Sequence, residues 1–368
     1  NVIDSGRLTM GPRVLELEAA FSKYFGSNYT VMVNSGSSAN LVGVASLFHK
    51  KKDALVAGDE VIVPAIAWST TFSPLQQYGL KLKFVDVELA SLNMDVRQLE
   101  SALTSRTKMI MGVSILGNPA ALDIMRNFAD AHGLIFFEDN CESMDAELNF
   151  RKAGTFGDLG TFSSFFSHHI STIEGGYILT DDPELDALAR SIRAHGWTRD
   201  LPKDTSIFET TYDDFFEAYR FILPGYNVRP QEINAAIGLE QLKKLPQFTE
   251  SRRKNMNYFQ SIFGHDDRFI IQNENGKSSS FCFTVILNPK KNIDRMQVMN
   301  SLKNANIGFR MITGGCFPRH QVIKYFNYEL FGEMTNGNIA HDYGFFVGNH
   351  PFDLTKEINQ FHAIMDQF

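Results

Sequence analysis

Short apolar runs alternate with amphipathic stretches along the first two thirds of the chain. Residues 30–33, 60–63, 83–87, 109–113 and 134–138 are compact runs that read as strands, and 160–164 and 177–179 add two more. Residues 38–49, 70–78 and 121–132 have helical spacing. So do 183–195, with Leu185, Leu188 and Ile192 on one face. Strands separated regularly by helices predict an α/β fold with a mostly parallel sheet flanked by helices on both faces.

The rhythm changes after Pro230. Residues 231–244 and 248–263 predict two consecutive helices that connect to a smaller C-terminal α/β unit. That unit is expected to hold a strand at 280–287 and helices at 295–305 and 355–366. At 368 residues the chain exceeds one simple core. The division expected is a large domain over 1–245 and a small one over 246–368.

Composition removes whole classes of partner. With 43% hydrophobic and 21% charged residues the chain reads as globular, and a net charge of −7 argues against nucleic acid or an anionic membrane as partner. No apolar run approaches the ~20 residues that span a bilayer, and no signal-peptide pattern opens the chain. The first residue is not Met, so a native N-terminal segment is expected to be missing. Cys141, Cys282 and Cys316 are few, odd in number and scattered. That fits a reducing cytoplasm, with no disulfide framework and no metal site.

Three segments carry candidate chemistry. Asn34-Ser35-Gly36-Ser37-Ser38-Ala39-Asn40 links a strand to a helix. Unpaired N–H groups and partial positive charge at the helix start, with Gly allowing close approach, suit a phosphate; a plain Ser cap after a turn is the alternative. Phe136-Phe137-Glu138-Asp139-Asn140-Cys141-Glu142 puts acids at the carboxyl end of a strand, the edge where open α/β sheets bind ligands. Solvated acids capping the next helix are its alternative. In the third segment, adjacent His168 and His169 stand between Ser-rich and Gly-rich flanks, running from Ser163-Ser164 to Glu174-Gly175-Gly176. A structural or surface role competes with catalysis there, and metal binding lacks a partner at i+4.

Taken in order with Pro224-Gly225-Tyr226-Asn227-Val228-Arg229, these motifs resemble the fold-type I sugar aminotransferases over roughly residues 7 to 330. That family places a Lys six residues before the Glu of Glu-Gly-Gly, where this chain has His168; Lys152 and Lys203, the nearest lysines, do not fit the pattern. A His there resembles a small branch, the pyridoxal-dependent nucleotide-sugar 3-dehydratases, and Ile115-Leu116-Gly117-Asn118-Pro119 supports the likeness. The resemblance implies pyridoxal 5′-phosphate, working as pyridoxamine 5′-phosphate and held without a covalent link. The implied substrate is a nucleotide-linked 4-keto-6-deoxy sugar, GDP-linked by the closeness of the match. The implied product is a 3,6-dideoxy-4-keto sugar for colitose-type O-antigen, with glutamate as amine donor.

Residue roles follow from the same resemblance. His168 takes the place of the base. Its ordinary pKa near ~6.5 suits proton transfer, and imidazole cannot form the stable link that a lysine does. Gly36, Ser37 and Ser163 are implied as phosphate ligands, Asp139 as the partner of the pyridine nitrogen, and Trp68 as a ring stacked on the cofactor. A core Trp is the alternative for Trp68. Glu142 stands where the family more often has Gln or His near the ring hydroxyl. Asn227 is implied to reach the phosphate of a neighbouring subunit, so a homodimer with shared sites is expected. Arg229 and Arg310 are candidate contacts for nucleotide phosphates, with surface salt bridges as the alternative.

Three rival readings stay on the page. An iron–sulfur relative would want four cysteine thiolates, against three scattered ones here. An aminotransferase with one Lys-to-His change would keep the common flanks, which Phe166, Ser167 and Glu142 do not. A non-catalytic binding protein need not keep Asp139, Ser163 and Asn227.

Overall fold

The computed structural model describes residues 2–201, 205–209 and 213–368. Its large sheet has eight strands, in the order Tyr29–Val33, Gly176–Thr180, Leu159–Ser163, Ile135–Asp139, Thr107–Val113, Glu60–Pro64, Lys81–Val85 and Tyr328–Leu330. Gly176–Thr180 runs antiparallel to both neighbours. The other pairings are parallel. The apolar runs are almost wholly buried because helices cover both faces, and separate cores lie on the two sides. Register sets the site: Asp139 lies opposite Thr161, and Ser163 opposite Gly176, so the carboxyl ends of two strands meet the amino end of a third.

Several expected boundaries move for local reasons. The helix expected from residue 38 starts at Gly36, because the Ser35 side chain accepts the Ser38 N–H and caps it. The strand expected over 83–87 is Lys81–Val85. Asp86 leaves the strand and accepts the N–H groups of Asn336 and Gly337, both at 2.8 Å.

The two helices expected over 231–263 are one, Glu232–Phe263, and it runs through residue 245 with Pro246 inside it. An interior Pro costs roughly 3 kcal/mol. Here its ring is exposed, while Leu242, Leu245 and Thr249 on either side stay buried and hold the helix through the interruption.

The smaller sheet is antiparallel, in the order Phe269–Ile271, Cys282–Leu287, Gly344–Gly348 and Phe309–Arg310. Its core takes in the end of the long helix and the helices Arg295–Asn304 and Thr355–Met365. The strand expected from residue 280 begins at Cys282, since Ser280 has a left-handed φ of 51° that no strand accepts. After the small sheet has begun, the chain returns to the large one, where Tyr328–Leu330 pairs with Lys81–Val85. Among the described residues no helix is long and apolar enough to cross a membrane.

Candidate active site

Asp139 ends its strand as a buried carboxylate held from two sides. Asn40 Nδ2 donates to its Oδ2 at 2.8 Å and Thr71 Oγ1 donates to the same oxygen at 2.7 Å. The Cys141 N–H reaches Oδ1 at 3.1 Å. Asn40 is itself fixed by the Thr161 hydroxyl at 2.6 Å. Two donors on one oxygen fix the direction of the carboxylate.

One turn before Asn40, Gly36 opens the helix Gly36–Leu47. A Cβ there would stand 2.6 Å from the Ser163 Cβ and 2.9 Å from the Cys141 sulfur. Only Gly lets the helix start come this close to the end of Leu159–Ser163, which makes a cup of backbone N–H groups beside two hydroxyls. Ser37 is exposed at its rim, and its hydroxyl lies 2.9 Å from that of Thr70. That contact joins the cup to the helix Ser69–Gln77, whose preceding residue is Trp68. Trp68 is 58% exposed, so the core alternative is set aside and its flat face is open.

His168 sits on the loop after Ser163, half-buried, with its backbone N–H on the Phe165 carbonyl. Phe165 and Phe281 flank the imidazole nearly at right angles, with centroids 5.9 and 5.4 Å away. Its Nδ1 is buried with no hydrogen-bond partner among the described residues. Burial is the largest influence and pushes the pKa down to about 4, and Arg252 adds to the fall. The backbone of Cys141 and Ser163 and the charge of Asp139 act the other way. The ordinary value expected from sequence is therefore lowered: His168 is neutral through the physiological range and starts as a proton acceptor. Anions bound beside it raise the value again.

Glu142 points to a different loop. Its Oε2 accepts the Leu116 N–H at 3.1 Å and the Thr313 hydroxyl at 3.2 Å. Burial, assisted by the charge of Asp139, pushes its pKa up to about 7. It can thus be a donor or an acceptor near neutrality. Burial and the Asp139 charge also push the Cys141 thiol well above its usual range, so this sulfur is a spacer and not a nucleophile.

The structure thus gathers Gly36, Ser37, Trp68, Asp139, Glu142, Ser163 and His168 around one sheet end, and leaves three candidates apart. Asn227 is exposed, bridges Ala194 through its backbone and accepts the Arg229 Nε–H at 3.1 Å. Arg229 also lies over the Trp197 ring, 5.5 Å from its centroid. Arg310 lines a cavity of about 630 Å3 in the smaller unit, with Arg252, His350 and Ser167.

Asn40, Thr71, Leu116, Thr313 and Phe281 complete the site without having been singled out. Asn40 carried a usable signal, since it stands four residues after Gly36 and so on the same helix face.

Comparison with known proteins bears on this geometry. Residues 1–341 match the model of the DegT/DnrJ/EryC1/StrS aminotransferase family. The chain is 48% identical to the GDP-4-keto-6-deoxy-D-mannose 3-dehydratase of Yersinia pseudotuberculosis, covering 99% of this chain and 93% of the relative. It is similar, with a TM-score of 0.97, to a crystal structure of GDP-4-keto-6-deoxymannose-3-dehydratase holding a trapped PLP–glutamate geminal diamine; identity is 48%, over 99% and 95% of the two chains. A histidine-to-asparagine variant of such an enzyme with bound GDP-perosamine gives the same TM-score of 0.97 at 47% identity, over 99% and 95%.

Proposed function

The chain belongs to the DegT/DnrJ/EryC1/StrS aminotransferase family, and from that premise we propose that it is a lyase, a 3-dehydratase of GDP-4-keto-6-deoxy-D-mannose. It uses pyridoxal 5′-phosphate and its pyridoxamine form, with glutamate as amine donor. The observation that supports the reading is an imidazole clamped between two rings beside Asp139 and Ser163, at the position where the resemblance puts an aminotransferase's lysine. Of the nearby lysines, the described one does not replace it. Lys152 is tied to Asp145 and to Glu147, and Lys203 lies outside the described residues.

The residues present fit the cofactor. The Gly36 cup would be filled by a Cβ, Asp139 is held in place for a ring nitrogen, and the Nδ1 of His168 is buried without a partner among the described residues. When bound, the cofactor supplies an amino group that condenses with the 4-keto sugar and a ring that acts as electron sink.

The protein does the rest. Gly36, Ser37 and Ser163 bind the phosphate through N–H groups and hydroxyls. Asp139 stabilises a protonated ring nitrogen, and Trp68 covers the ring face. Glu142 shares a proton with the ring hydroxyl. Neutral His168 would take the C4′ proton of the aminated cofactor and, as imidazolium, return it to the C3 hydroxyl, which leaves as water. Over a full cycle the sugar loses one oxygen, glutamate becomes 2-oxoglutarate and ammonia is released. With no lysine among the described residues that form it, the site offers no amine there to capture the cofactor or displace the product as an amino sugar.

We also propose a homodimer in which Asn227 completes the phosphate site of a second copy. In support, Asn227 is exposed with its side chain on Arg229, and Phe215, Phe216, Tyr219 and Phe221 nearby in sequence are exposed aromatics. Arg229 and Arg310 are proposed contacts for the nucleotide, the enzyme's location is proposed as cytoplasmic, and the small domain is proposed to take in most of 246–368, with Tyr328–Leu330 returned to the large sheet.

The test is incubation with GDP-4-keto-6-deoxymannose, pyridoxal 5′-phosphate and glutamate, followed by mass analysis. Loss of one oxygen with ammonia release is expected. An amino sugar as the main product would replace the dehydratase reading with an aminotransferase.

A further inference from the structure

His169 follows the base, is 2% exposed, and takes part in no step above. Its Nε2 lies 3.1 Å from the carbonyl oxygen of Ser279. A carbonyl only accepts, so Nε2 carries the proton and Nδ1 is bare; that Nδ1 is buried with no partner among the described residues. Burial, with the positive charges of Arg252 and Arg253 beside it, holds the imidazole well below its usual pKa, against the pull of the Ser279 carbonyl. His169 is thus neutral and fixed as one tautomer.

Its acceptor belongs to a strap, residues 278–281, that enters the strand Cys282–Leu287 of the small sheet. On one side the strap is fastened to the loop that serves Glu142. The Ser279 N–H donates to Gly117 at 2.8 Å, the Ser278 hydroxyl to the same carbonyl at 2.9 Å, and the Phe281 N–H to Leu116 at 3.3 Å. On the other side Arg253 donates to Ser278 at 2.6 Å, Asn349 to Ser280 at 2.8 Å, and Arg252 to Phe281 at 3.1 Å. Phe281 at the end of the strap touches both histidines, with ring centroids 5.4 Å from each. The His169–Ser279 bond therefore ties the loop that carries the base to the strap that carries the ring packed on it.

We propose that His169 is a positioning residue for the dehydration, its Nε2–H holding the Ser279 carbonyl so that Phe281 seats and dries the His168 imidazole. This rests on His168 being the base. A core histidine that serves folding alone is the competing account.

Two substitutions separate them. His169→Gln keeps a side-chain N–H near the place of Nε2, whereas His169→Leu keeps similar bulk and loses the donor. The first readout is the ratio of kcat to KM. The second is the titration midpoint of His168 in the cofactor-free protein, followed by NMR of labelled histidine and assigned with His168→Asn. Asp139 and Arg252 also face His168 and are unchanged in these variants.

His169→Leu is expected to lose roughly 10- to 100-fold in kcat with KM within about threefold, the scale of a misplaced catalytic group. Its His168 midpoint is expected to rise from about 4 toward 6.5 as water reaches the ring. His169→Gln is expected to stay close to wild type in both. If His169→Leu does not fold, Phe281→Leu with His169 intact should move the midpoint the same way. A wild-type kcat and an unmoved midpoint in His169→Leu, or equal damage in the Gln and Leu variants, would overturn the proposal. If instead His168→Asn dehydrates at the wild-type rate, it is the base assignment that fails, and the NMR midpoint still reports on the strap.

Discussion

A Cβ on Gly36 would lie 2.6 Å from the Cβ of Ser163, so a helix start and a strand end meet at a distance that only glycine allows. Gly36→Ala must push the two apart, and the N–H groups of the cup leave their common focus. The protein should fold, with a melting temperature lowered by a few degrees, a scale of roughly 1 kcal/mol. Cofactor affinity should fall by about tenfold or more, since 1.4 kcal/mol is a factor of ten. Absorbance titration with pyridoxal 5′-phosphate measures it, and unchanged affinity would remove Gly36 from the site.

His168→Asn should keep cofactor binding and lose deoxygenation by about 10²–10⁴-fold, the range a placed proton carrier contributes. His168→Lys should become attached to the cofactor and leave a borohydride-stable lysine adduct, which the parent protein should not show. The product assay and peptide mapping check both. Dehydration at full rate by the Asn variant would move the proton to another group.

Glu142 gives a pH signature of opposite sign to that of His168. Its folded pKa, about 7, lies above the ordinary carboxyl value of 4.5. Between those values the folded state holds the extra proton, so this contribution to stability is present at low pH and fades as pH rises through 7. His168, lowered to about 4 from 6.5, contributes stability that is present above 6.5 and lost as pH falls toward 4. Glu142→Gln should therefore gain in melting temperature relative to the parent on going from pH 5 to pH 8. Thermal melts across that range decide it, and a constant difference would mean that Glu142 does not titrate there.

Shared sites predict complementation. His168→Asn and Asn227→Ala dimers, each weakened alone, should form hybrids with one intact site when unfolded and refolded together. Random pairing makes half of the dimers hybrid, so activity should return to roughly a quarter of the parent's. Recovery no greater than the sum of the two variants alone would place Asn227 outside the partner's site.

The large sheet and the cup are legible in sequence because their signals are local. A short apolar run ends in Asp139, and Ser-Gly-Ser opens a helix, so strand end and helix start can be read without neighbours. What grips Asp139 is not local. Thr71 lies 68 residues before it and is an ordinary helical Thr until the sheet aligns Ile135–Asp139 with its neighbours. Phe281 and Ser279 reach the histidines from beyond residue 245, and Thr313 reaches Glu142 across a separation of 171 residues. The depressed pKa of His168 was likewise hidden, because it follows from burial that no neighbour in sequence supplies. Pro246 misled for the converse reason: its local preference breaks a helix, and packing on both sides of it prevails.

The strand Tyr328–Leu330 closes the large sheet long after its neighbour Lys81–Val85 has been made. At ribosomal rates of about 5–20 residues per second, that neighbour waits about ten to fifty seconds as an open edge. Open edges recruit other chains, and lysines on them discourage it. Lys81 and Lys83 sit on this strand and share one face. Once the last strand arrives they change duty: Glu329 on it pairs with Lys81 and comes within 3.9 Å of Lys83, which is buried against Glu60 at 2.8 Å. One pair of side chains thus guards the nascent chain and then fastens the finished one. Replacing both with Met, together with Glu60→Gln so that no buried charge is left unpaired, should reduce the soluble yield from growing cells far more than the melting temperature of the molecules that do fold, and the soluble fraction set beside a thermal melt tells the two apart.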